Sequence, residues 1–393
     1  MNRKLLWIVV NTCRLLVSTT FIFSGVVKLI DPVGMQYKVE DYLTALDFTE
    51  LAASFWTLPL AIAIPFVEFL LGIYLFFGIR RRLTSYSICI FLLLYTPLTL
   101  WLAQTNAVAD CGCFGDAVHL TNWQTFGKNA VLLVASLVVW WRGQLLTRFI
   151  SESAQWIVSL YSIFYGLFVT MLCLVGEPII DFRPYRIGQH IPTAMEWPDD
   201  PNQMPEILDF SFMPVDDASH SLPDAEALLA DTSYSFLLVA PHLELADDGN
   251  MDRINVAYDY SHKHNYTFLG LTASAPEAIH RWQDLTGAEY PFAFMDELTL
   301  KTMARSNPAL LLLHDGTIVG KWPAGEIPSE KQLEKALGDP SRLHASVASR
   351  HHDVMKLLLW YLLPLFCLTF IDRSVFSLKW WRRRHQTAKN NKK

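Results

Sequence analysis

The sequence predicts a helical membrane protein that carries an inserted α/β domain. Of its 393 residues, 52% are hydrophobic, and the long apolar runs are confined to residues 1–176 and 354–371. Residues 177–350 are instead rich in proline, aspartate, histidine and glutamate, as in a soluble domain. A membrane span requires about 20 mostly apolar residues. Only the first and last parts of the chain can therefore cross a bilayer.

Six segments are candidate spans, namely 5–30, 55–79, 86–103, 120–141, 156–176 and 354–371. The fourth is interrupted by Lys128 and Asn129, which leaves an apolar core of only 130–141. Tilt or neighbouring helices must complete that crossing. Five spans are therefore the alternative to six.

Basic residues between the spans predict the orientation, because short cytoplasmic loops are enriched in lysine and arginine. With six spans, four basic clusters fall on one side of the membrane: Arg3 and Lys4; Arg80, Arg81 and Arg82; Arg142 and Arg148; and Lys379 with Arg382, Arg383 and Arg384. We therefore predict a bacterial inner-membrane protein with cytoplasmic termini and a periplasmic segment 177–350. The basic end of the chain, 380–393, is interpreted as a stop signal attracted to anionic lipid. No motif for binding nucleic acid is present.

Two cysteines, Cys111 and Cys113, lie one residue apart in a short loop that continues through Gly115 and Asp116. The other four cysteines lie inside apolar runs, where thiols are normally inert. We expect the loop pair to be exposed on the oxidising face and to exchange electrons. A structural disulfide and a thiolate metal site are the alternatives. The metal site is the weakest of the three, because His119 alone cannot complete a tetrahedral set.

Two charged residues fall within the apolar runs. Glu68 lies well inside the second span, where an unpaired charge costs several kcal/mol. We expect it to face the bundle interior and to meet Lys28, Ser24 or the head group of a ligand. Lys28 lies near the end of the first span, so snorkelling to the interface is an equal alternative.

Three segments carry a family resemblance: residues 24–32, the Pro-x-x-Glu-x-x-x-Gly pattern of the second span, and the Cys-Gly-Cys-Phe-Gly-Asp loop. Together they resemble the DoxX-like superfamily of four-helix membrane proteins, and within it the branch of the methylamine-utilisation protein MauE. The resemblance covers roughly residues 5–145. It implies periplasmic disulfide chemistry alongside a thioredoxin-like partner and, by analogy with four-helix thiol oxidoreductases, a quinone as electron acceptor. Those enzymes use Cys-x-x-Cys, whereas this chain has Cys-x-Cys.

The segment 177–350 predicts alternating strands and helices. Strands are expected at 235–240, 266–272, 292–295, 309–313 and 318–322, and helices at 248–264, 276–286, 298–305 and 329–337. Asp315 and Gly316 supply the hairpin turn between the last two strands. This order, with Pro308 as a candidate cis-proline, resembles membrane-anchored TlpA-like proteins of the thioredoxin fold.

This segment contains no cysteine, so it resembles a degenerate thioredoxin fold that binds a partner without exchanging disulfides itself. His242 and Glu244 follow the first strand, where the redox cysteines of that family lie, and we interpret them as surface residues.

We divide the chain into a four-helix membrane domain (1–150), a fifth span with its linker (151–180), the periplasmic domain (181–345), and a sixth span with its basic tail (350–393). The expected function is periplasmic thiol and disulfide exchange by Cys111 and Cys113, a possible thiol-disulfide oxidoreductase activity, with Glu68 and Lys28 in the membrane and a thiol protein as partner. A non-enzymatic scaffold for an envelope complex is the alternative, and a small-molecule carrier built around Glu68 is a third hypothesis.

Overall fold

The computed structural model describes residues 3–108, 111–199, 204–215, 223–338 and 340–390. These residues form two compact units. The first comprises Met1–Leu174 and Met355–Lys393, and the second comprises Val175–Val354.

The first unit is built from α-helices. Its helices are α1 (Arg3–Ile30), α2 (Pro32–Ala45), α3 (Thr49–Ala52), α4 (Thr57–Phe77), α5 (Arg81–Thr105), α6 (Asn122–Trp141), α7 (Gln155–Val175) and α14 (Pro340–Asn390). The residues of α14 before Met355 are counted with the second unit. A short strand, β1 (Cys113–Asp116), lies between α5 and α6.

Five helical segments in the described residues are long and apolar enough to cross a membrane, namely Arg3–Ile30, Thr57–Phe77, Arg81–Thr105, Glu152–Val175 and Asp353–Leu378. The predicted fourth span forms the 20-residue helix α6 but does not reach the same apolarity. Its polar residues face a neighbouring helix: Asn129 donates to Thr99 at 3.3 Å, and Asn122 donates to Asn106 at 3.2 Å. These contacts place α6 antiparallel to α5, inside the bundle.

Glycines allow α1 and α4 to pack at very short range. A Cβ atom added to Gly25 would lie 2.6 Å from the backbone nitrogen of Phe69, and one added to Gly72 would lie 2.7 Å from the backbone nitrogen of Ile22. Small residues allow this approach in membrane bundles, where dispersion contacts replace the hydrophobic effect as the main attraction between helices. The two helices are antiparallel, because Ile22 precedes Gly25 in α1 whereas its partner Gly72 follows Phe69 in α4.

Arg14 ties the opposite end of this pair to the loop that follows α6. Its guanidinium is 1% exposed and donates to the carbonyl of Leu75 at 3.0 Å, to that of Thr147 at 2.7 Å, and to that of Phe76. Arg81 donates to the carbonyl of Leu146 at 2.8 Å, so the basic ends of these segments meet at one end of the bundle. Arg14 was not predicted as a structural residue, because the carbonyls that it binds at Leu75 and Thr147 lie 61 and 133 positions away in the chain.

The last two spans pack against each other through aromatic side chains. The Tyr361 hydroxyl of α14 lies 2.8 Å from Ser162 of α7, and the rings of Tyr361 and Tyr165 stack at 4.3 Å. Ser151 donates its backbone N–H to Asp372 at 2.8 Å. These contacts make α7 and α14 antiparallel, and their cluster also includes Phe69 of α4.

The connection between the first two spans is helical, whereas the sequence analysis treated it as a loop. Pro32 begins α2 at a position that needs no N–H donor, and the side chain of Asp31 caps the helix by accepting from Gly34 N at 2.9 Å. Pairing this cap with the proline, which is common at a first helical position, would have predicted the helix.

The second unit contains a six-stranded mixed sheet. The strands are β2 (Met213–Pro214), β3 (Tyr234–Ala240), β4 (Thr267–Thr272), β5 (Phe292–Phe294), β6 (Ala309–His314) and β7 (Thr317–Pro323), in the spatial order β2-β5-β4-β3-β6-β7. β3 pairs in parallel with β4 and antiparallel with β6. The helices are α8 (Ile191–Met195), α9 (Ala225–Ala230), α10 (Met251–Lys263), α11 (Pro276–Thr286), α12 (Glu297–Met303) and α13 (Glu330–Leu337).

Every residue of β3 is buried, because apolar clusters cover both faces of the sheet. The strands and helices predicted from 235 to 337 are present with small shifts in their ends. Asp315 and Gly316 have φ angles of 48° and 61°, as the predicted hairpin turn requires. The short elements β2, α8 and α9 were not predicted, since two to six residues carry too little periodicity to be recognised.

Candidate functional site

The loop that follows α5 places the two cysteines together inside the protein. The sulfur atoms of Cys111 and Cys113 lie 3.1 Å apart, and the residues are only 6% and 8% exposed. The expectation that this pair is exposed was therefore wrong. Leu102 and Val108 enclose it, with Tyr42, Ala45 and Trp101 packed at the edge of the same cluster.

Helix α2 covers the Cys111 side of the loop. The Tyr42 hydroxyl donates to the carbonyl oxygen of Cys111 at 2.7 Å. Gly112 has a φ of +63°, and a Cβ atom there would lie 3.2 Å from Cγ of Lys38. A side chain at this position would be both strained and crowded, so the glycine allows α2 to close over the cysteines.

Helix α1 holds the Cys113 side of the same loop. The Ser24 hydroxyl donates to the carbonyl oxygen of Cys113 at 2.6 Å. Gly115, also at positive φ, brings the backbone close to Val27, and Asp116 ends β1. The loop is thus fixed from two directions, by α2 at Cys111 and by α1 at Cys113.

Lys28 and Glu68 meet beside this loop. Lys28 lies one helical turn after Ser24, and its Nζ donates to Glu68 Oε2 at 2.8 Å. The two side chains are 4% and 8% exposed. Lys28 therefore pairs with Glu68, as one of the two predictions had it, and does not snorkel to the interface. Tyr95 of α5 lies close enough to interact electrostatically with both charges and with Cys113.

The surroundings of the two thiols differ. The pKa of Cys113 is lowered, mainly by the hydrogen bond with Cys111 and also by the positive charges of Lys128 and Lys28, whereas burial and the charge of Glu68 act in the opposite direction. Lys128 Nζ lies 4.3 Å from the centre of the Phe114 ring, beside Cys113. The pKa of Cys111 is raised by the same hydrogen bond and by burial. At neutral pH this arrangement favours a thiolate on Cys113 that is solvated by the Cys111 thiol.

The loop and both charged residues lie within one segment that resembles known proteins. Residues 4–142 match the family model of the methylamine utilisation protein MauE. This segment is the MauE-like membrane part of the chain, and it contains α1 to α6 with the cysteine loop. Neither a curated protein nor a solved structure matches the chain.

The MauE-like part brings together all four sequence-predicted membrane candidates, Cys111, Cys113, Glu68 and Lys28. A thiol pair at hydrogen-bonding distance can close to a disulfide of about 2.05 Å with only a small movement of the sulfur atoms. Beside it, the ion pair provides a proton donor and a proton acceptor. Among the described residues, no group of three histidines, cysteines or acidic residues is placed to hold a metal ion.

In the second unit, the carboxyl ends of β3 and β5 place polar residues beside the predicted cis-proline. The Asn307–Pro308 peptide bond is cis. Asn307 Nδ2 donates to the carbonyl of His242 at 2.7 Å, and His242 Nε2 lies 3.0 Å from Glu297. Glu244 accepts from Ser274 at 2.7 Å. His242 and Glu297 are partly exposed, so this cluster forms a polar surface.

The second unit also contains a buried ionic cluster that the sequence analysis missed. Arg183 binds Asp181 at 2.7 Å and Glu177 at 2.9 Å, and Lys321 binds Asp181 at 2.8 Å. Glu177 also accepts from the backbone N–H of Ser306 at 3.0 Å. Burial raises the pKa of Asp181, but Lys321 and Arg183 lower it by a larger amount, so that the pKa is about 2. The available signal was the close spacing of Glu177, Asp181 and Arg183, but their partner Lys321 lies 140 positions after Asp181 in the chain.

Proposed function

We propose that the MauE-like part is a membrane thiol-disulfide oxidoreductase whose reactive groups are Cys111 and Cys113. The pair would cycle between dithiol and disulfide on the outer face of a bacterial inner membrane. The observation that carries this proposal is the 3.1 Å separation of two sulfur atoms beside the buried Lys28–Glu68 pair. A purely structural disulfide would not require a charged pair next to it, and buried charges of this kind are expensive and are usually functional.

Each residue has a specific task in this proposal. Cys113 carries the thiolate, which is stabilised by the Cys111 thiol and the nearby lysines. Lys28 and Glu68 accept and release protons as the pair is oxidised and reduced. Tyr42 and Ser24 hold the loop so that the two sulfur atoms remain within reach. Burial of the site slows unwanted oxidation.

A quinone is the electron acceptor that suits these residues. It would supply a two-electron, two-proton sink within the bilayer. Lys28 offers a hydrogen-bond donor to an oxygen of the quinone, and Glu68 offers an acceptor to a hydroxyl group of the reduced quinol. The stacked rings of Phe91 and Tyr95, 4.7 Å apart, lie on the neighbouring helix α5 and offer an apolar aromatic surface.

We assign the second unit to partner binding. Its element order and its cis-proline support a thioredoxin-like fold, but it carries no cysteine between residues 177 and 350. The unit would therefore recognise a periplasmic thiol protein and leave the electron transfer to the membrane cysteines. Its polar surface around His242 and Glu297 is a candidate for this recognition.

The full-length protein in lipid nanodiscs tests the function directly. We would set glutathione buffers of different potential and count free Cys111 and Cys113 thiols by mass spectrometry after acid quenching and alkylation. The pair should titrate as a two-electron couple, whereas Cys89 and Cys173 should stay reduced. Cys111→Ser and Cys113→Ser should each abolish the couple. A pair that stays in one state across the whole range would rule out electron transfer.

Deletion of 185–345 tests the role of the second unit. The deletion should abolish capture of the periplasmic partner while the remaining cysteine pair still titrates with glutathione. Glu68→Gln should have the converse effect, with impaired turnover and intact capture. Full electron transfer from the physiological partner to the deletion variant would reduce the second unit to an accessory.

A scaffold is the second candidate, and the burial of both cysteines favours it. In that case the loop would be a fixed structural feature, and the second unit would dock an envelope partner. The glutathione titration separates the two functions, because a scaffold requires no redox couple at this loop.

A further inference from the structure

We infer that the two cysteines divide the work, with Cys111 receiving electrons from the outer partner and Cys113 passing them to the membrane acceptor. This inference rests on the proposed oxidoreductase function and assigns an order to its sulfur atoms. It also makes Tyr42 the positioning residue for the partner side.

The two cysteines are held by different helices. Cys111 is bonded through its carbonyl to Tyr42 of α2, and Cys113 through its carbonyl to Ser24 of α1. Helix α2 carries Lys38, Glu40 and Asp41 within one turn, so it belongs to the aqueous boundary and not to the lipid. Cys111 therefore faces the helix that separates the site from water.

Cys113 lies beside the charged residues of the membrane helices. Ser24, which holds Cys113, precedes Lys28 of the buried ion pair by one helical turn. Lys28 and Glu68 both interact electrostatically with Cys113, and Lys28 favours a negative charge there whereas Glu68 opposes it. Lys128, beside the Phe114 ring, adds a further positive charge near this sulfur. Cys113 is thus the sulfur that is set to carry negative charge next to the membrane groups.

The leaving group determines which sulfur is attacked. When a partner thiolate attacks a disulfide, the sulfur that leaves more readily is the one with the lower thiol pKa. The partner thiolate therefore attacks Cys111, the Cys111–Cys113 bond breaks, and Cys113 leaves as a thiolate. A mixed disulfide then joins the partner to Cys111.

The second thiolate of the partner then attacks the partner sulfur atom of the mixed disulfide. The bond to Cys111 breaks, and Cys111 takes up a proton. The partner has then lost two electrons and carries a disulfide, and the pair is reduced. To restore the pair, the Cys111–Cys113 bond forms again while two electrons and two protons pass to a quinone of the membrane. The protons leave by way of Lys28 and Glu68.

Single-cysteine variants in nanodiscs test this order with two probes, in a background where Cys13, Cys89, Cys173 and Cys367 are replaced by alanine. In that background, Cys113→Ser leaves only Cys111, and Cys111→Ser leaves only Cys113. Each remaining thiol is first loaded with 5-thio-2-nitrobenzoate, and its discharge by reduced glutathione in the aqueous phase is followed from the colour. We expect Cys111 to discharge about tenfold faster than Cys113.

The second probe is the pH at which iodoacetamide alkylation reaches half its maximal rate, and we expect this midpoint to be about one pH unit lower for Cys113.

The division of roles predicts that Cys111 discharges faster and that Cys113 has the lower pH midpoint. A difference in exposure alone would favour one cysteine in the discharge assay and would leave the two pH midpoints equal. Tyr42→Phe should raise the discharge rate of Cys111 several-fold and leave the midpoint of Cys113 unchanged. Ser24→Ala is the matched control, because it removes a similar bond from the Cys113 side and should leave Cys111 discharge unchanged. Thermal unfolding of each variant checks that it is folded.

Faster discharge of Cys113, or coincident pH midpoints, would overturn the division of roles. The proposed function itself would survive that result, because it depends only on the glutathione titration of the wild-type pair. A wild-type pair that fails to titrate would overturn both.

Discussion

Lys28 of α1 and Glu68 of α4 form an ion pair of 2.8 Å, and Lys28 lies one helical turn after Ser24, the serine that holds Cys113. The two residues are 40 positions apart in the chain, and the close packing of α1 on α4 at Gly25 brings them together. The same helix pair therefore builds both the charged site and the support of the cysteine loop.

Glu68→Gln should destabilise the membrane part by about 3–5 kcal/mol, because it leaves the Lys28 charge buried without its partner. Thermal unfolding in detergent measures the loss. The double variant Lys28→Met with Glu68→Leu is the control and should recover most of the stability, since both charges are removed together. A double variant as unstable as Glu68→Gln would show that the loss comes from packing and not from charge.

Arg14→Leu should destabilise the bundle by several kcal/mol, because it removes buried bonds of a charged donor to the last carbonyls of α4 and to Thr147, each worth about 1.5–3 kcal/mol. Arg14→Lys should recover only part of this, since an ammonium group cannot make the same planar set of bonds. Arg82→Ala, at an exposed position, is the control and should stay within about 0.5 kcal/mol of wild type. Equal effects at Arg14 and Arg82 would contradict the role of Arg14.

Gly25→Ala should destabilise the protein by about 1–3 kcal/mol, because the new methyl group would lie within 2.8 Å of the Phe69 backbone, which cannot move aside cheaply. Gly127→Ala is the matched control, as it is another helical glycine but has nothing within 4 Å of an added Cβ. There alanine should stabilise by about 0.5–1 kcal/mol. Chemical unfolding of both variants should give changes of opposite sign.

The buried ionic cluster should make the second unit sensitive to acid. The folded-state pKa of Asp181, about 2, lies below the unfolded value of about 3.9. Its contribution is therefore present above about pH 4 and is lost as the pH falls towards 2, which corresponds to about 2 kcal/mol. Unfolding of the full chain between pH 7 and pH 2.5 measures it. Asp181→Asn should flatten this dependence, and an unchanged profile would exclude Asp181 as its source.

Reporter fusions test the orientation that the basic clusters predict. Fusions after Trp141 and after Lys393 should behave as cytoplasmic, whereas fusions after Asp116 and after Gly316 should behave as exported. The proposed function requires the last two to be exported, because a thiol pair in the cytoplasm would be kept reduced. An exported carboxyl terminus would contradict the predicted path of the last span.

Much of the architecture could be predicted from local patterns. The apolar runs predicted the spans, and alternating strands and helices predicted the order of the second unit from 235 to 337, with its Asp-Gly hairpin. Helix α2 was missed because its residues are mixed in polarity and its signal lies in one capping pair, Asp31 with Pro32. The buried ionic cluster was missed because Lys321 is 140 positions from Asp181.

The sequence by itself determined which parts of the chain are apolar enough for a membrane, which cysteines share a loop, and which charges lie inside spans. These are properties of neighbouring residues, so local composition carries them. Only the tertiary structure decided that Lys28 reaches Glu68, that α2 buries Cys111, and that Arg14 closes the end of α4. Each of these depends on helix packing between residues far apart in the chain, and a hydropathy pattern contains no information about which faces meet.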